Sequence, residues 1–525
     1  MLLNGGDVWW DRADGRYFVP NISGAGAKPV NSIFAAAVWI GGRDEAGALK
    51  FAGKTYGGAK ETDFWAGPLE DNNGQISASQ CNEWDRMFEV TRDEVDEHKR
   101  RFQLFRENGV PYEESQIPAG VLNWPAQGNP YFRKYNNFQL PSTTASLAPY
   151  WDNPDYGNVG SYDPLDGDYP IIEVRGVADA CKYDAEYQAN PAVADQMIFW
   201  IYNDNGGAHS ETKGLPIQME VQVEAFAFAT GDALNDMTFM RYKLINRAPV
   251  PITDCYFGWW VDADLGCPYD DYIGCDTSRS LVYYYNADDQ DGTNGTICNA
   301  NGSPVNTYGT KIPILGIDYF EGPTKTIDDK YVDIGMTAFM YYNNTSGDNT
   351  ADPSGDKPEE WYNLLRSYWK NGRPLTIGGT GYASTGGTPT KYAFPSDPKD
   401  DQGWSMCTTP PPAWDRRTIQ STGPILLEPG KRNFLVVGVP WVPNQKYPCP
   451  PLDELRRADD ICQGLFDNCF KIFDGPDAPV MDVIELDQKF VLALSYPADY
   501  NNADLNFEGY NPGYSPSKAD SRYQN

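Results

Sequence analysis

Two consecutive segments with alternating apolar residues constrain the fold of this chain more than any other feature. In 218–228 (QMEVQVEAFAF), every second position from Met219 to Ala227 is apolar. Residues 237–247 (MTFMRYKLINR) alternate similarly, and Gly231-Asp232 lies in the link between the two segments. An apolar period of two is typical of a strand with one buried face, and a Gly-containing link joins antiparallel neighbours. The pattern therefore predicts an antiparallel hairpin.

Strand-like segments recur along much of the chain. They are 254–261, 279–286, 312–319, 331–342 and 425–442. The 525 residues include 15 Trp, 34 Tyr and 23 Phe, together with 50 Gly and 41 Pro. Aromatic residues favour strands, whereas Gly and Pro favour turns. We therefore expect a mainly β fold, a large antiparallel β-sandwich-like body with long ordered loops and a few short helices.

Three segments have helical rather than strand periodicity. Thr91-Arg-Asp-Glu94 has the form of a capping box and predicts a charged surface helix over 91–107. Residues 358–371 resemble a short amphipathic helix, and 453–471 place apolar residues on one side of a longer one.

The length of the chain exceeds that of one ordinary hydrophobic core. We expect a β-rich main body over 1–473, which could divide into sub-domains at 1–215 and 216–473. The composition of 474–479 (DGPDAP) indicates a hinge. Residues 480–525 begin with a new strand pair and end in a polar tail.

The charge balance excludes several classes of protein. There are 42 Lys and Arg against 73 Asp and Glu, which gives a net charge of −31. Nucleic-acid and anionic-lipid binding both need clustered basic residues, so we expect neither partner. No apolar run approaches the 18 or more residues of a membrane span, and the first residues show no signal peptide. With only two His, zinc sites and Ser-His-Asp chemistry are poor candidates.

The number of cysteines is even, and none forms a Cys-x-x-Cys motif. The ten are Cys81, Cys181, Cys255, Cys267, Cys275, Cys298, Cys407, Cys449, Cys462 and Cys469. We favour several disulfides and an oxidising, extracellular setting over reduced core thiols. Cys462 and Cys469 lie about 10 Å apart on the predicted helix, too far for a mutual bond. Each needs a partner elsewhere, and Cys449 is a candidate.

The densest acidic constellation lies in 259–276 (WWVDADLGCPYDDYIGCD). A strand there runs into an Asp-x-Asp-x-Gly turn, and calcium prefers six to eight oxygen ligands in such loops. The candidate ligands are Asp262, Asp264, Asp270, Asp271 and Asp276. Asp288, Asp289 and Asp291 form a second, weaker candidate group. The alternative is a solvated acidic turn closed by a Cys267–Cys275 disulfide.

Other residue types carry weaker signals. Paired carboxylates serve glycosidases, but nothing in the sequence marks one as a general acid. Exposed Trp and Tyr could bind glycans. Core packing is the expected role of most of Trp9, Trp10, Trp39, Trp259 and Trp260. We expect His98 and His209 at the surface, and Arg416-Arg417 in ion pairs with neighbouring acids.

Nine sequence blocks resemble those of a protein group. They are 3–11 (LNGGDVWWD), 37–42 (AVWIGG), 62–69 (TDFWAGPL), 236–242 (DMTFMRY), 261–266 (VDADLG), 270–276 (DDYIGCD), 403–407 (GWSMC), 415–420 (DRRTIQ) and 465–470 (LFDNCF). In this set the chain is similar to the N-terminal region of large, mostly uncharacterised Bacteroidota surface proteins exported by type IX secretion. The similarity covers about residues 1–510.

The resemblance implies a leader ahead of this region, fibronectin-like β domains behind it, and a C-terminal type A sorting domain. It also implies that the strands after 480 are a partial fibronectin-like segment. The chain departs from the group where Phe507-Glu-Gly-Tyr510 passes into the polar tail. An incomplete sandwich exposes an unpaired strand edge, which favours pairing with another chain.

These observations together predict a secreted cell-surface protein with a structural or adhesive role. We expect it to be stabilised by disulfides and a structural Ca²⁺ ion, and to be non-catalytic. Its expected partners are other surface proteins or copies of itself, assembled into a fibre or layer, and glycans are further candidates. The alternative is a carbohydrate-active module that binds glycans or hydrolyses them with two carboxylates.

Overall fold

The fold is described from a computed structural model. The residues it describes are 7–10, 15–20, 28–56, 61–71, 73–141, 147–173, 181, 189, 191–230, 233–292, 298–300, 303–327, 330–412, 414–470, 480–486 and 489–495. The chain divides into two compact units, 1–467 and 468–525.

The larger unit is built on two antiparallel sheets, which we call sheet I and sheet II. Sheet I contains β1 (Asp7–Val8), β4 (Ala35–Arg43), β5 (Leu49–Ala52), β13 (Ile252–Asp262), β21 (Ala338–Asn343) and β22 (Arg416–Leu427). Its strand order is β1-β4-β13-β22-β21, and β5 also pairs with β4. Long connections therefore bring strands from distant parts of the sequence side by side.

Sheet II is longer and includes the predicted hairpin. It contains β6 (Trp65–Ala66), β7 (Phe88–Thr91), β10 (Gln196–Asn203), β11 (Met219–Ala227), β12 (Met237–Asn246), β14 (Asp271–Asp276), β15 (Leu281–Asn286), β18 (Ile314–Glu321) and β23 (Arg432–Val442). Its strand order is β14-β15-β18-β23-β12-β11-β10-β6, and β7 also pairs with β10. β11 and β12 pair antiparallel from Met219↔Asn246 to Phe226↔Phe239, so the hairpin prediction is confirmed. Its Gly231-Asp232 link lies outside the described residues.

Two-stranded ribbons and helices accompany the two sheets. The ribbons are β2 (Tyr17–Phe18) with β3 (Asn31–Ile33), β8 (Tyr150–Trp151) with β9 (Tyr169–Pro170), β16 (Cys298–Ala300) with β17 (Ser303–Val305), and β19 (Thr324–Ile327) with β20 (Lys330–Asp333). The α-helices are α1 (Ala78–Trp84), α2 (Arg92–Asn108), α3 (Ala119–Leu122), α4 (Phe132–Asn136), α5 (Pro358–Leu365) and α6 (Asp453–Asp467). Short 3₁₀ turns span Glu114–Gln116, Pro164–Asp166 and Ala233–Asp236. The expectation of a mainly β, sandwich-like body with few short helices is confirmed.

The core lies between the facing sides of the two sheets. Trp259 of β13 is fully buried, and its indole N–H donates to the hydroxyl of Tyr242 on β12 at 3.1 Å. Trp260 is also fully buried and stacks on Trp39 of β4, with ring centroids 6.4 Å apart. Successive side chains of a strand point to opposite faces, so Trp259 fills the space between the sheets, whereas Trp260 and Trp39 project from the other face of sheet I. Helix α5 covers that face, with the ring of its Trp361 4.6 Å from the ring of Trp39. The core role expected for these three tryptophans agrees with their burial.

The outer side of the hairpin is also buried, although its residues are polar. Glu220 is fully buried and accepts from Arg247 at 3.0 Å, and Arg241 donates to Glu173 at 2.8 Å. Glu173, which follows β9, therefore lies over this face. Pairing compensates the cost of burying these charges.

Both histidines are buried, so their expected surface positions are wrong. α2 begins with the predicted capping box between Thr91 and Glu94. Its His98, however, is covered by the chain that follows the helix, and its Nδ1 lies 2.8 Å from the hydroxyl of Tyr112. Burial lowers the pKa of His98 to about 4. The side chain of His209 packs inside its loop, with Nδ1 2.8 Å from the carbonyl oxygen of Phe51.

The cysteines follow the sequence prediction only in part. Disulfides join Cys267 to Cys298 and Cys407 to Cys449, and Cys181 and Cys469 are also disulfide-bonded. Cys81, Cys255 and Cys275 carry free thiols. The suggested Cys267–Cys275 bond is wrong because Cys275 lies within β14, where its thiol faces the carbonyl of Ala393. Cys449 is bonded to Cys407, so it is not the partner of Cys462 or Cys469.

The smaller unit contains one described element, an antiparallel hairpin of β24 (Val480–Leu486) and β25 (Lys489–Ser495). The strand pair predicted after 480 is thus present, and its fibronectin-like character stays a prediction. The predicted hinge at 474–479 and the polar tail lie outside the described residues. Within the described part of the chain, no helix is both long enough and apolar enough to cross a membrane.

Candidate functional site

A cavity of about 600 Å³ opens beside the ends of strands β13 and β22. Five aromatic residues line it: Trp10, Phe18, Phe34, Tyr56 and Tyr269. Its polar lining includes Arg16, Asn31, Asp262, Asp264, Asn306, Asn344, Asp415 and Arg417. A cavity of this size, apolar on its walls and with convergent polar groups, is typical of a ligand site.

The pairing of two strands brings the charged residues together. Asp262 is the last residue of β13 and lies opposite Arg417 in β22. Asp264 follows β13 by two positions, and Asp415 immediately precedes β22. One oxygen from each of the three carboxylates lies within 4.8 Å of the others. We call Asp262, Asp264 and Asp415 the acidic cluster.

Arg417 and Tyr56 contact part of this cluster. Nη1 of Arg417 lies 2.6 Å from Oδ1 of Asp415, and Nε lies 3.4 Å from Oδ1 of Asp262. The hydroxyl of Tyr56 donates to Oδ2 of Asp262 and accepts from Nε of Arg417 at 2.9 Å. The guanidinium therefore balances only one of the three carboxylate charges.

Burial makes ionisation of the cluster unfavourable. Asp262 is 1% exposed, and burial, reinforced by the charge of Asp415, raises its pKa to about 7 although Arg417 opposes the shift. Burial and the neighbouring Asp262 raise the pKa of Asp264 well above its usual range. Among the described residues, none donates a hydrogen bond to Oδ1 of Asp264. A proton or a metal cation would relieve this excess negative charge.

The donor set and its dimensions fit a hard cation. Calcium binds carboxylate oxygens at about 2.3–2.6 Å, so two of its ligands are at most about 5 Å apart. The limit of 4.8 Å in the acidic cluster is compatible with one such ion. Magnesium requires a shorter and more regular octahedron, which fits an irregular set from two strand ends less well.

The other aspartates predicted from the 259–276 segment lie outside the cluster. Asp270 accepts from the backbone N–H of Gly292 at 2.8 Å. Asp271 accepts from that of Leu265 at 2.9 Å. Asp276, at the far end of β14, pairs with Arg456 at 3.0 Å. Each of these carboxylates thus has a partner within the fold.

The carboxylates of the second predicted group do not lie in the acidic cluster either. Asp288 and Asp289 are exposed. Asp291 is fully buried, and its two oxygens accept backbone N–H groups from Cys267, at 2.9 Å, and from Tyr308. Its carboxylate therefore fixes two loops to each other.

Asp415 is the cluster residue that sequence reasoning missed as a ligand. The block Asp415-Arg416-Arg417 was interpreted only as a source of ion pairs, and Arg417 does pair with Asp415 and Asp262. Arg416, in contrast, donates to backbone oxygens, including that of Asp271 at 3.0 Å. The signal that could have revealed Asp415 is the pairing of β13 with β22, which the sequence does not display.

Comparison with known proteins gives no family for this chain. No protein-family model matches it, and no curated protein is significantly similar in sequence. Its function is therefore inferred from the geometry.

Proposed function

We propose that this protein is a secreted, non-catalytic cell-surface protein whose sandwich carries a structural calcium ion at Asp262, Asp264 and Asp415. The convergence of three carboxylates, which Arg417 alone balances among the residues that the structure describes, is the observation that supports the calcium site. The disulfides are compatible with an oxidising compartment, and the resemblance to type IX-exported surface proteins points the same way.

In this proposal the ion has a mechanical role. It connects the end of β13 to the beginning of β22, two central strands of sheet I. A cation there would neutralise the repulsion between carboxylates and hold the loop after Asp262 in place. The adhesive or structural partners would be other surface proteins or further copies of this chain.

The geometry favours a metal centre over two-carboxylate glycoside hydrolysis. Retaining glycosidases place their carboxyl groups about 5–5.5 Å apart, and inverting ones about 6.5–9.5 Å apart. In the acidic cluster, oxygens of all three groups lie within 4.8 Å of one another, which is closer than the inverting arrangement, so it is Arg417 that disfavours the retaining arrangement. Arg417 bridges Asp262 and Asp415, so neither is placed as an independent acid or base. Glycan binding without hydrolysis is compatible with the aromatic wall.

Thermal unfolding of the full chain with EDTA or with Ca²⁺ tests the calcium site. A ligand at 100 times its dissociation constant stabilises a folded protein by about 2.7 kcal/mol. We expect the melting temperature to rise with Ca²⁺ in the wild type and in Asp289→Asn, an exposed acid outside the cluster. Asp264→Asn should abolish that rise. An unchanged melting temperature in the wild type, with no metal by elemental analysis, would refute the site.

Electron microscopy and light scattering of the purified chain test its assembly. Filaments or layers would support a structural surface component. Monomers at all concentrations, together with no binding to other surface proteins of its source, would contradict the structural and adhesive role.

A further inference from the structure

The acidic cluster opens into the aromatic cavity instead of being closed off in the core. Tyr269, on the loop that follows Asp264, is 38% exposed on the cavity wall. Trp10 and Tyr56 pack edge to face, with ring centroids 5.8 Å apart, and Phe34 meets Tyr56 similarly at 5.7 Å. The mutual packing of these rings orders the wall before any ligand arrives, which lowers the entropic cost of binding.

An ion at the cluster would have coordination sites left over, because Tyr56 and Arg417 already engage oxygens of Asp262 and Asp415. Three carboxylates supply between three and six oxygens, depending on whether each binds through one or both, and calcium takes six to eight. Because the cluster lines the cavity, the remaining sites face a space in which an exchangeable oxygen ligand fits.

The charges around the acidic cluster favour a neutral ligand over an anion. Three ionised carboxylates, Arg417 and one divalent cation sum to zero. The donors of Arg417 are directed at Asp262, Asp415 and Tyr56, so its guanidinium is occupied. Arg16, also on the wall, has an interaction of its own. In the part of the chain that the structure describes, no net positive charge is left at the cluster to attract a carboxylate or phosphate.

We propose that the cavity binds a neutral saccharide through this cation, an inference that rests on the proposed calcium site. Two vicinal hydroxyl groups would complete the coordination of the ion, and the apolar face of the sugar ring would stack on Tyr269. The cavity volume of about 600 Å³ lies within the range of roughly 300–1,000 Å³ typical of small-molecule sites. The protein would then attach to glycans by their hydroxyl pairs without cleaving them.

Saturation-transfer NMR on the full chain tests this binding. The probes are the methyl glycosides of mannose, galactose and fucose, which carry vicinal hydroxyls, each with Ca²⁺ and with EDTA. We expect binding of at least one glycoside in Ca²⁺, its loss in EDTA and its loss in Asp264→Asn. Tyr269→Ala should weaken binding about tenfold, since loss of an aromatic stacking contact is worth about 1.4 kcal/mol. Tyr331→Ala, an exposed tyrosine on β20, should leave it unchanged.

The melting shift with Ca²⁺, measured on the same samples, separates the two proposals. A shift without binding of any glycoside would overturn the saccharide inference and leave the calcium site intact. The saccharide inference would also be overturned if the glycosides bound equally well in EDTA, or if both tyrosine variants lost glycoside binding equally. Binding of inorganic phosphate in place of sugar would overturn it as well. Absence of the melting shift would refute the calcium site, and the saccharide inference with it.

Discussion

The buried carboxyl group of Asp262 should make the metal-free protein less stable as the pH rises. Burial and the charge of Asp415 raise the pKa of Asp262 to about 7 in the folded chain, against an ordinary value of 3.8. The folded state therefore binds more protons than the unfolded state between these two values. The contribution of this group to stability is fully present below about pH 4 and is lost as the pH rises through about 7.

The magnitude follows from the displacement of the pKa. Each pKa unit corresponds to about 1.36 kcal/mol, so the pKa of Asp262 implies a loss of about 4 kcal/mol between pH 4 and pH 8. An unfolding entropy of about 2.1 cal/mol/K per residue gives roughly 1.1 kcal/mol/K for 525 residues. The corresponding decrease in melting temperature is about 4 °C. Saturating Ca²⁺ should remove this loss, because the cation replaces the proton.

Melting curves of the wild type and Asp262→Asn from pH 4 to pH 8, in EDTA and in Ca²⁺, measure the effect. Other buried carboxyl groups, such as that of Asp291 with its pKa raised to about 7, add to the slope of both proteins. The difference between the two proteins isolates Asp262. In EDTA we expect the wild type to lose about 4 °C more than the variant. If the melting temperatures of the two proteins fell in parallel with pH, ionisation of Asp262 would not destabilise the folded state. That result would refute the reasoning.

Three further changes have predictable effects on stability. Asp459→Asn should raise the melting temperature at pH 8 more than at pH 5. The reason is that the buried Asp459 and Asp318 face each other, and burial raises the pKa of Asp459 to about 7. A lower melting temperature of the variant at pH 8 would contradict this. Gly258→Ala should cost about 1–3 kcal/mol in denaturant titration, since the new Cβ would lie 2.3 Å from Leu365. Cys298→Ser opens a disulfide between cysteines 31 residues apart and should cost about 4 kcal/mol in the same assay, whereas an unchanged midpoint would speak against a structural bond.

Local sequence patterns predicted the elements of the fold better than the faces they bury. The alternation in 218–228 and 237–247 predicted the β11–β12 hairpin because strand periodicity is a local property. The same alternation indicates one buried face, yet Glu220 and Gln222 on the other face are buried as well. Glu173, which contacts this face, lies in a stretch with little periodicity, so its contact with the sheet could not be predicted from the sequence.

The candidate site, too, could be predicted from the sequence only where its residues are close together in the chain. Asp262 and Asp264 were predicted as ligands because an Asp-x-Asp-x-Gly turn places two carboxylates on one side. Asp415 joins them only through the register of β13 with β22, which is a long-range contact. The disulfide between Cys267 and Cys298 is likewise a tertiary pairing that spacing alone does not determine.

Hydrogen-bond donors distinguish two buried acids of the loops, Asp204 and Asp168, from the acids of the candidate site. A β protein with long loops has many backbone N–H groups outside its sheets, and buried ones need acceptors. Asp204 accepts such groups from Ile217 and Met219, both at 2.6 Å, and Asp168 accepts two others at 2.8 Å. These carboxylates take the place of strand pairing where the chain is irregular. These two buried acids are therefore accounted for by loop architecture.

The acidic cluster has no comparable set of donors. Its contacts are Arg417, the hydroxyl of Tyr56 and the amide of Asn344, which donates to Asp415 at 2.9 Å. Among the described residues, no backbone N–H satisfies Oδ1 of Asp264. Keeping an unsatisfied buried carboxylate costs stability, whereas replacing it with an apolar residue would not. A calcium ion would supply the compensation that the fold omits here, and this contrast with Asp204 and Asp168 is the physical reason to assign a ligand to this cluster rather than to the acidic surface in general.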